Sequence, residues 1–319
     1  MSVVLEFLLG MAITALLMPM VIKKLKQSKE QAVIRVLGPD HQQKAGTPSL
    51  GGAVFVLVAI VVAFCLPRTY ENSTAFTTVL TLSVAIGSFA LIGAVDDVLK
   101  LLKHADDGFA FKPKLAAQTL SAVVVMFLLW ALKVPAIINL PVVGVVYLGY
   151  FYVIFIWFWL VGWSNATNLT DGLDGLLGGL AVIAYGAYAV MAYWAANWAM
   201  VSFNLVLIGA LAGFLIFNLP KAKIFMGDTG SLALGAGLAV ESILLHAVIS
   251  LLIIGLVFVI ETLSVIIQTF SYHFFHKRVF PMAPIHHSFE KFGWSEWQID
   301  IAFWSVGLVL AILAVFIFY

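Results

Sequence analysis

Asn165-Ala-Thr-Asn168-Leu-Thr-Asp171-Gly-Leu-Asp174-Gly175 is a dense polar island between two apolar runs, residues 144–163 and 175–195. Each run reaches the roughly 20 mostly apolar residues that a helix needs to cross a bilayer. A short connection between two such crossings needs only a few turn residues. This one carries two Asn, two Thr and two Asp instead. Thr170 or Asp171 can cap the helix that follows, and Asp171 and Asp174, three apart, then project from nearly one face of its first turn. Taken alone, an ordinary capped turn accounts for the stretch as well as a site does.

The same pattern of apolar runs extends through all 319 residues, of which 63% are hydrophobic and 10% charged. With a mean hydropathy of +1.07, these values exclude a water-soluble globule of ordinary composition. The expected fold is an all-α integral membrane protein, one polytopic domain over residues 1–319. The 20-residue criterion gives about ten transmembrane helices, near residues 2–22, 50–66, 75–95, 115–134, 144–163, 175–195, 199–217, 232–248, 250–274 and 300–319. Lys23, Lys24 and Lys26 follow the first run directly. A basic cluster after the apolar run suits a retained helix better than a cleaved signal. The single Cys65 excludes an intramolecular disulfide.

An even number of crossings puts both termini on one side. The loops after odd-numbered helices then hold all of the 17 basic residues except Arg68 and Lys133. By the positive-inside rule that side is cytoplasmic and both termini are extracytoplasmic. The near-neutral net charge of +1 offers nothing to nucleic acid.

Five polar motifs fall on the basic side: Lys44-Ala-Gly-Thr-Pro-Ser49-Leu-Gly-Gly52, Asp96-Asp97-Val-Leu-Lys100, the opening island, Asn218 to Ser231, and Pro284-Ile-His286-His287-Ser288. This places the active site in cytoplasmic loops. Carboxylates gathered at helix ends repel one another unless a cation joins them. Oxygen ligands without thiolates favour Mg²⁺ or Mn²⁺, and Mg²⁺ commonly takes one or two carboxylates plus substrate phosphates. Gly227-Asp228-Thr229-Gly230-Ser231 offers free amides and hydroxyls to an anion, although it is no P-loop. Lys44, with Lys100 and Lys112 or Lys114, can neutralise a diphosphate, while each lysine alone reads more readily as a topology marker. Phe225 can stack on a base. His286 and His287, read as a loop, can donate to phosphate or move a proton.

Together the five motifs resemble the polyprenyl-phosphate N-acetylhexosamine-1-phosphate transferases, over nearly the whole chain. The Pro284-Ile-His286-His287 loop is similar to that of the branch acting on muramoyl-pentapeptide, with Ser288 where a third His is familiar and Ser49 where Thr is. The resemblance implies Mg²⁺-dependent transfer of phospho-MurNAc-pentapeptide from UDP-MurNAc-pentapeptide to undecaprenyl phosphate, giving lipid I and UMP, in a bacterial plasma membrane. Membrane lipid is then a partner, and a homodimer is left open. It further implies Asp228 as the principal metal ligand, Asp96 and Asp97 at the polyprenyl phosphate and the metal, and His287 among the catalytic groups. Asn168, Asp171, Gly172, Asp174, Asn218 and Phe225 are implied to hold the uridine part. Lys44, Ser49, Lys100, Gln268 and His286 are implied to line the rest.

Two other readings compete. A sister transferase would use UDP-GlcNAc. A proton-coupled transporter would be built on Glu241, His246 and Glu261, the ionisable groups inside apolar runs, with Gln268 on the same helix face as Glu261.

Overall fold

Lipid offers the peptide backbone no hydrogen-bond partners, so long apolar runs close their own bonds as helices. The computed structural model describes residues 2–27, 46–103, 108–140 and 143–318. Its first half comprises α1 (Val3–Gln27), α2 (Gly51–Cys65), a 3₁₀ turn (Pro67–Tyr70), α3 (Ser73–Lys103), α4 (Phe111–Ala131), β1 (Ile137–Leu140) and β2 (Gly144–Tyr147). Its second half comprises α5 (Phe151–Thr170), α6 (Leu176–Trp194), α7 (Trp198–Asn218), α8 (Gly227–Leu244), α9 (Val248–Ile254), α10 (Leu256–Phe275), α11 (His286–Lys291) and α12 (Glu296–Phe318). Among the described residues, seven helices (α1, α3, α4, α6, α7, α10 and α12) are long and apolar enough to cross a membrane. Large apolar side chains such as Leu120, Trp130, Ile266 and Phe316 lie exposed along α4, α10 and α12. A surface of that kind is matched to lipid.

The centre of the bundle is α8. It packs against α2, α3, α5, α6 and α9, and every residue from Thr229 to Ile243 is buried. Because protein rather than lipid surrounds it, α8 tolerates a polar first turn and the internal Glu241. Small residues bring its neighbours close, as is usual where van der Waals contact drives association in a membrane. A methyl on Gly93 of α3 would lie 2.1 Å from the Asp228 carbonyl oxygen, and one on Gly235 would lie 2.2 Å from the Trp163 carbonyl oxygen of α5. Neither position can be other than glycine without moving a helix.

Four expectations need correction. Residues 144–147 are not the start of a crossing but strand β2, paired antiparallel with β1 in the register Ile137↔Tyr147 to Leu140↔Gly144. An α-only fold therefore carries one hairpin, tied down by the Asn139 side-chain amide donating to the His246 carbonyl at 3.0 Å. The opening island is mostly helical: α5 runs through Asn165 to Thr170, Asp171 is its C-cap, and α6 starts only at Leu176 after Gly175 at φ +84°. Asp171 and Asp174 thus lie in a turn rather than on the first turn of a helix. The ninth run is broken at Gly255 into α9 and α10, where the Trp163 ring packs against that glycine so closely that a methyl would sit 2.5 Å from it. Finally, His286 and His287 open the short helix α11 rather than standing in a loop.

Candidate active site

The helix α3 continues past its apolar stretch to Lys103, carrying Asp96 and Asp97 near that end. Adjacent helix residues point about 100° apart, and the two carboxylates do different work. Asp97 faces α8. Its Oδ1 accepts the Asp228 N–H at 3.0 Å, and its Oδ2 accepts the Thr229 N–H at 3.0 Å and the Thr229 hydroxyl at 2.6 Å. An acid from one helix therefore caps the unpaired N-terminal amides of another.

Asp96 turns instead to the ammonium groups. Lys100 Nζ lies 2.5 Å from Asp96 Oδ2 and 3.3 Å from Asp228 Oδ2, and Lys114 Nζ lies 3.4 Å from Asp96 Oδ1 and 2.8 Å from Asp228 Oδ2. Each lysine bridges both acids. The Phe109 N–H adds a bond to Asp96 Oδ1 at 2.9 Å. On the far side, the Asn168 amide donates to Asp228 Oδ1 and to Ser231 Oγ, both at 2.9 Å. Residues from α3, α4, α5 and α8 thus converge on Asp228. Composition and spacing left Lys112 and Lys114 equivalent, and it is Lys114 that joins the cluster.

The entry to α8 is braced from α2. Phe225 donates its N–H to the Pro48 carbonyl at 2.8 Å, and its own carbonyl accepts the Gly51 N–H at 2.9 Å. Ser49 is thereby brought over Gly227, whose φ is +73°. A methyl there would lie 2.6 Å from Ser49 Oγ and 2.5 Å from Asp97 Oδ2. Lys44 lies outside the described residues.

Several expected substrate-holding groups have their polar atoms bonded to the chain itself. Asp174 Oδ2 accepts the Ala222 N–H at 2.9 Å. Asn218 accepts from the Gly175 N–H at 3.1 Å and donates to the Ile224 carbonyl at 3.0 Å. Together they lock the Asp171–Gly175 turn to the connection before α8. Gln268 holds the loop after α10, accepting from Val279 and Phe280 N–H groups at 3.0 Å and donating to the Phe280 carbonyl at 3.1 Å. Asp171 stays closer to the cluster. Burial, then the carboxylates of Asp228, Asp97 and Asp174, push its carboxyl well above the usual range.

His286 is fully buried, with Nδ1 3.2 Å from Glu261 Oε2. It packs so tightly over Gly172 that a methyl there would lie 2.2 Å from Nε2. His287 is more open and its Nδ1 lies 2.5 Å from Glu290 Oε2. The Ser288 hydroxyl closes the loop on Met282, accepting its N–H at 3.1 Å and donating to its carbonyl at 2.5 Å. Glu261 therefore belongs to the histidine loop, and Glu241 pairs separately with Asn204 at 3.0 Å. These are two isolated pairs rather than a string of groups across the bundle.

Lys114, Thr229, Ser231 and Glu261 received no individual role in the motif reading: Lys114 stood as an alternative to Lys112, Thr229 and Ser231 within the Gly227–Ser231 turn, and Glu261 outside the motifs. The last was noticed, but as an intramembrane charge whose partner could not be seen from sequence. The donor set suits a hard divalent cation, since Asp228 and Asp96 offer only carboxylate oxygens, and in the structure the two lysines neutralise these acids. Among the described residues no group of three or more His, Cys, Asp or Glu side chains is placed to hold a metal ion. A Mg²⁺ ion held by one or two carboxylates and completed by phosphate oxygens would not need such a group.

Comparison with known proteins gives a consistent result. The model of the glycosyl transferase family 4 matches residues 79–246. A phospho-N-acetylmuramoyl-pentapeptide-transferase of Leuconostoc citreum is 64% identical over 95% of both chains. Its namesake from Leuconostoc mesenteroides is 60% identical over 95% of both, and that from Lactobacillus gasseri 44% identical over 96% of both.

Proposed function

Since the chain belongs to the phospho-N-acetylmuramoyl-pentapeptide-transferase family, within glycosyl transferase family 4, we propose a division of labour among its residues for that reaction. The enzyme moves phospho-MurNAc-pentapeptide from UDP to undecaprenyl phosphate, releasing UMP and leaving lipid I in the membrane. An oxygen of the lipid phosphate forms a bond to the β-phosphorus, the bond from that phosphorus to the bridging oxygen breaks, and UMP carries the electron pair away.

Positioning and charge neutralisation are most of what such a transfer requires. The observation that carries the assignment is the pair of lysines, each bridging Asp96 and Asp228. In the proposal, Lys100 and Lys114 turn from these acids to the phosphates of the two substrates. Asp228, with Asp96, holds Mg²⁺, which when bound supplies further neutralisation of the diphosphate. Asp97 fixes the α8 N-terminus and does not touch substrate. No strong base is needed, because a phosphate monoester with a second pKa of about 6 is largely ionised at neutral pH. This favours direct attack by the lipid phosphate over a covalent enzyme intermediate. Phe225 and the Asn168–Gly172 segment form the wall for the nucleotide, and His287 the opposite wall.

The topology is part of the same reading: ten crossings, counting α9 and α10 as one, both termini outside and the cluster at the cytoplasmic face of the plasma membrane. The basic residues crowded at that face support it.

The test is UMP release by purified protein with UDP-MurNAc-pentapeptide and undecaprenyl phosphate. Removal of Mg²⁺ with chelator abolishes turnover and added Mg²⁺ restores it, and UDP-GlcNAc gives no product. Turnover that is indifferent to chelator, or product from UDP-GlcNAc alone, defeats the reading.

A further inference from the structure

Apart from the acid–lysine cluster, the ends of α1 and α7 border a shallow, open cavity of about 500 Å³, lined by Pro19, Ile22, Lys23, Lys26, Gln27, Phe217 and Lys223. Pro19, Ile22, Lys23 and Lys26 follow the i, i+3, i+4, i+7 spacing and so form one stripe of α1. Along about 10 Å of helix, that stripe passes from apolar to cationic. Phe217, at the end of α7, widens the apolar part. Lys223, whose N–H is bonded to the Phe217 carbonyl at 2.8 Å, adds a third ammonium group. No acid among the described residues lines the cavity. Among the described residues, none of the three lysines has a carboxylate within salt-bridge distance, whereas Lys100 and Lys114 each have two.

Lysines that serve only to set topology need a place in a loop, not a cavity with an apolar floor. Unpaired cations above an apolar trough at the membrane surface match an amphiphile with an anionic head and a hydrocarbon tail. A free inorganic anion would gain nothing from the trough, and a zwitterionic lipid little from three like charges. We propose that this cavity binds an anionic phospholipid of the cytoplasmic leaflet. Its phosphate meets Lys23, Lys26 and Lys223, and an acyl chain lies along Pro19, Ile22 and Phe217. The cavity shares no residue with the cluster assigned to the polyprenyl phosphate. Lys223 lies in the connection that leads through Phe225 to Asp228, so an occupied cavity also braces the approach to α8.

The experiment titrates spin-labelled phosphatidylglycerol into phosphatidylcholine nanodiscs holding the full chain, and reads the immobilised fraction by electron paramagnetic resonance. The K23Q/K26Q/K223Q variant is expected to bind at least tenfold more weakly. Ile22→Trp, which fills the trough and keeps every charge, is expected to show a comparable loss, so each variant tests the proposal independently. Labelled phosphatidylcholine held as well as phosphatidylglycerol would overturn it. Unchanged binding in Ile22→Trp would reduce the effect to surface charge and overturn it too. Displacement of phosphatidylglycerol by equimolar undecaprenyl phosphate would assign the cavity to the substrate lipid instead.

Discussion

Lys112 and Lys114 stand two positions apart on α4, so their side chains leave the helix about 200° apart. Only one can reach α3 and α8, and Lys114 does, at 2.8 Å from Asp228. Lys114→Gln is expected to slow lipid I synthesis at least tenfold, worth about 1.4 kcal/mol of transition-state stabilisation. Lys112→Gln is expected to leave the rate within about twofold. Equal rates for the two variants would remove Lys114 from the site. Asp97 calls for a different measurement, since its oxygens accept two amides and a hydroxyl of α8. Asp97→Asn turns an amide donor toward a backbone N–H of α8, which can only donate, at a cost of about 3 kcal/mol. A melting temperature lowered by several degrees, in a protein without substrate, is the expected result, and an unchanged one would return Asp97 to the list of purely chemical groups. Residue identities were legible where a motif carried them, as with Asp228 and Asn168. Partners were not, because Asp174, Asn218 and Gln268 have side chains equally able to hold a ligand or a backbone, and only tertiary placement decides. Ser288 is similar: its hydroxyl both donates to and accepts from Met282, a pairing that suits a loop closure and that no periodicity announces.

At the scale of elements, the apolar runs identified the helices well because a lipid-spanning helix is defined by length and hydropathy alone. Departures fell where protein, not lipid, sets the conditions. The polar island could continue α5 because Thr167 and Thr170 return their hydroxyls to backbone carbonyls one turn back. The hairpin at 137–147 was hidden by its apolar valines and isoleucines, which serve strand and span alike. The break between α9 and α10 depends on Trp163, a residue on another helix and distant in sequence. The contact between α3 and α8 is the one most open to test. Gly93→Ala places a methyl against the Asp228 carbonyl, so the helices must part and the two acids separate. Both yield of folded protein and UMP release should fall together, and Gly186→Ala, where a methyl meets nothing within 4 Å, should change neither. A fully active Gly93→Ala would mean that the approach of α3 to α8 is not required.

For the whole molecule, the sidedness of charge predicts which surfaces water-soluble reagents reach. A cysteine introduced near Ser2, or in the β1–β2 hairpin at Val143, should react with an impermeant maleimide on intact cells in a Cys65→Ser background. One at Lys277 should react only after the membrane is opened. Labelling at Lys277 from outside would invert the topology and place the acid–lysine cluster on the wrong side for a cytosolic nucleotide. The burial of α8 from Thr229 to Ile243 also bears on how the protein is made. A helix with a polar first turn and an internal glutamate is a poor guest for lipid, and it gains its partners only when α2, α3 and α5 already stand in the membrane. The ribosome delivers those helices first, so α8 enters a prepared slot rather than the open bilayer. Its arrival completes the acid–lysine cluster before α9, α10 and α12 close around the bundle. A chain assembled only as far as α7 therefore still lacks Asp228, the acid on which the cluster converges.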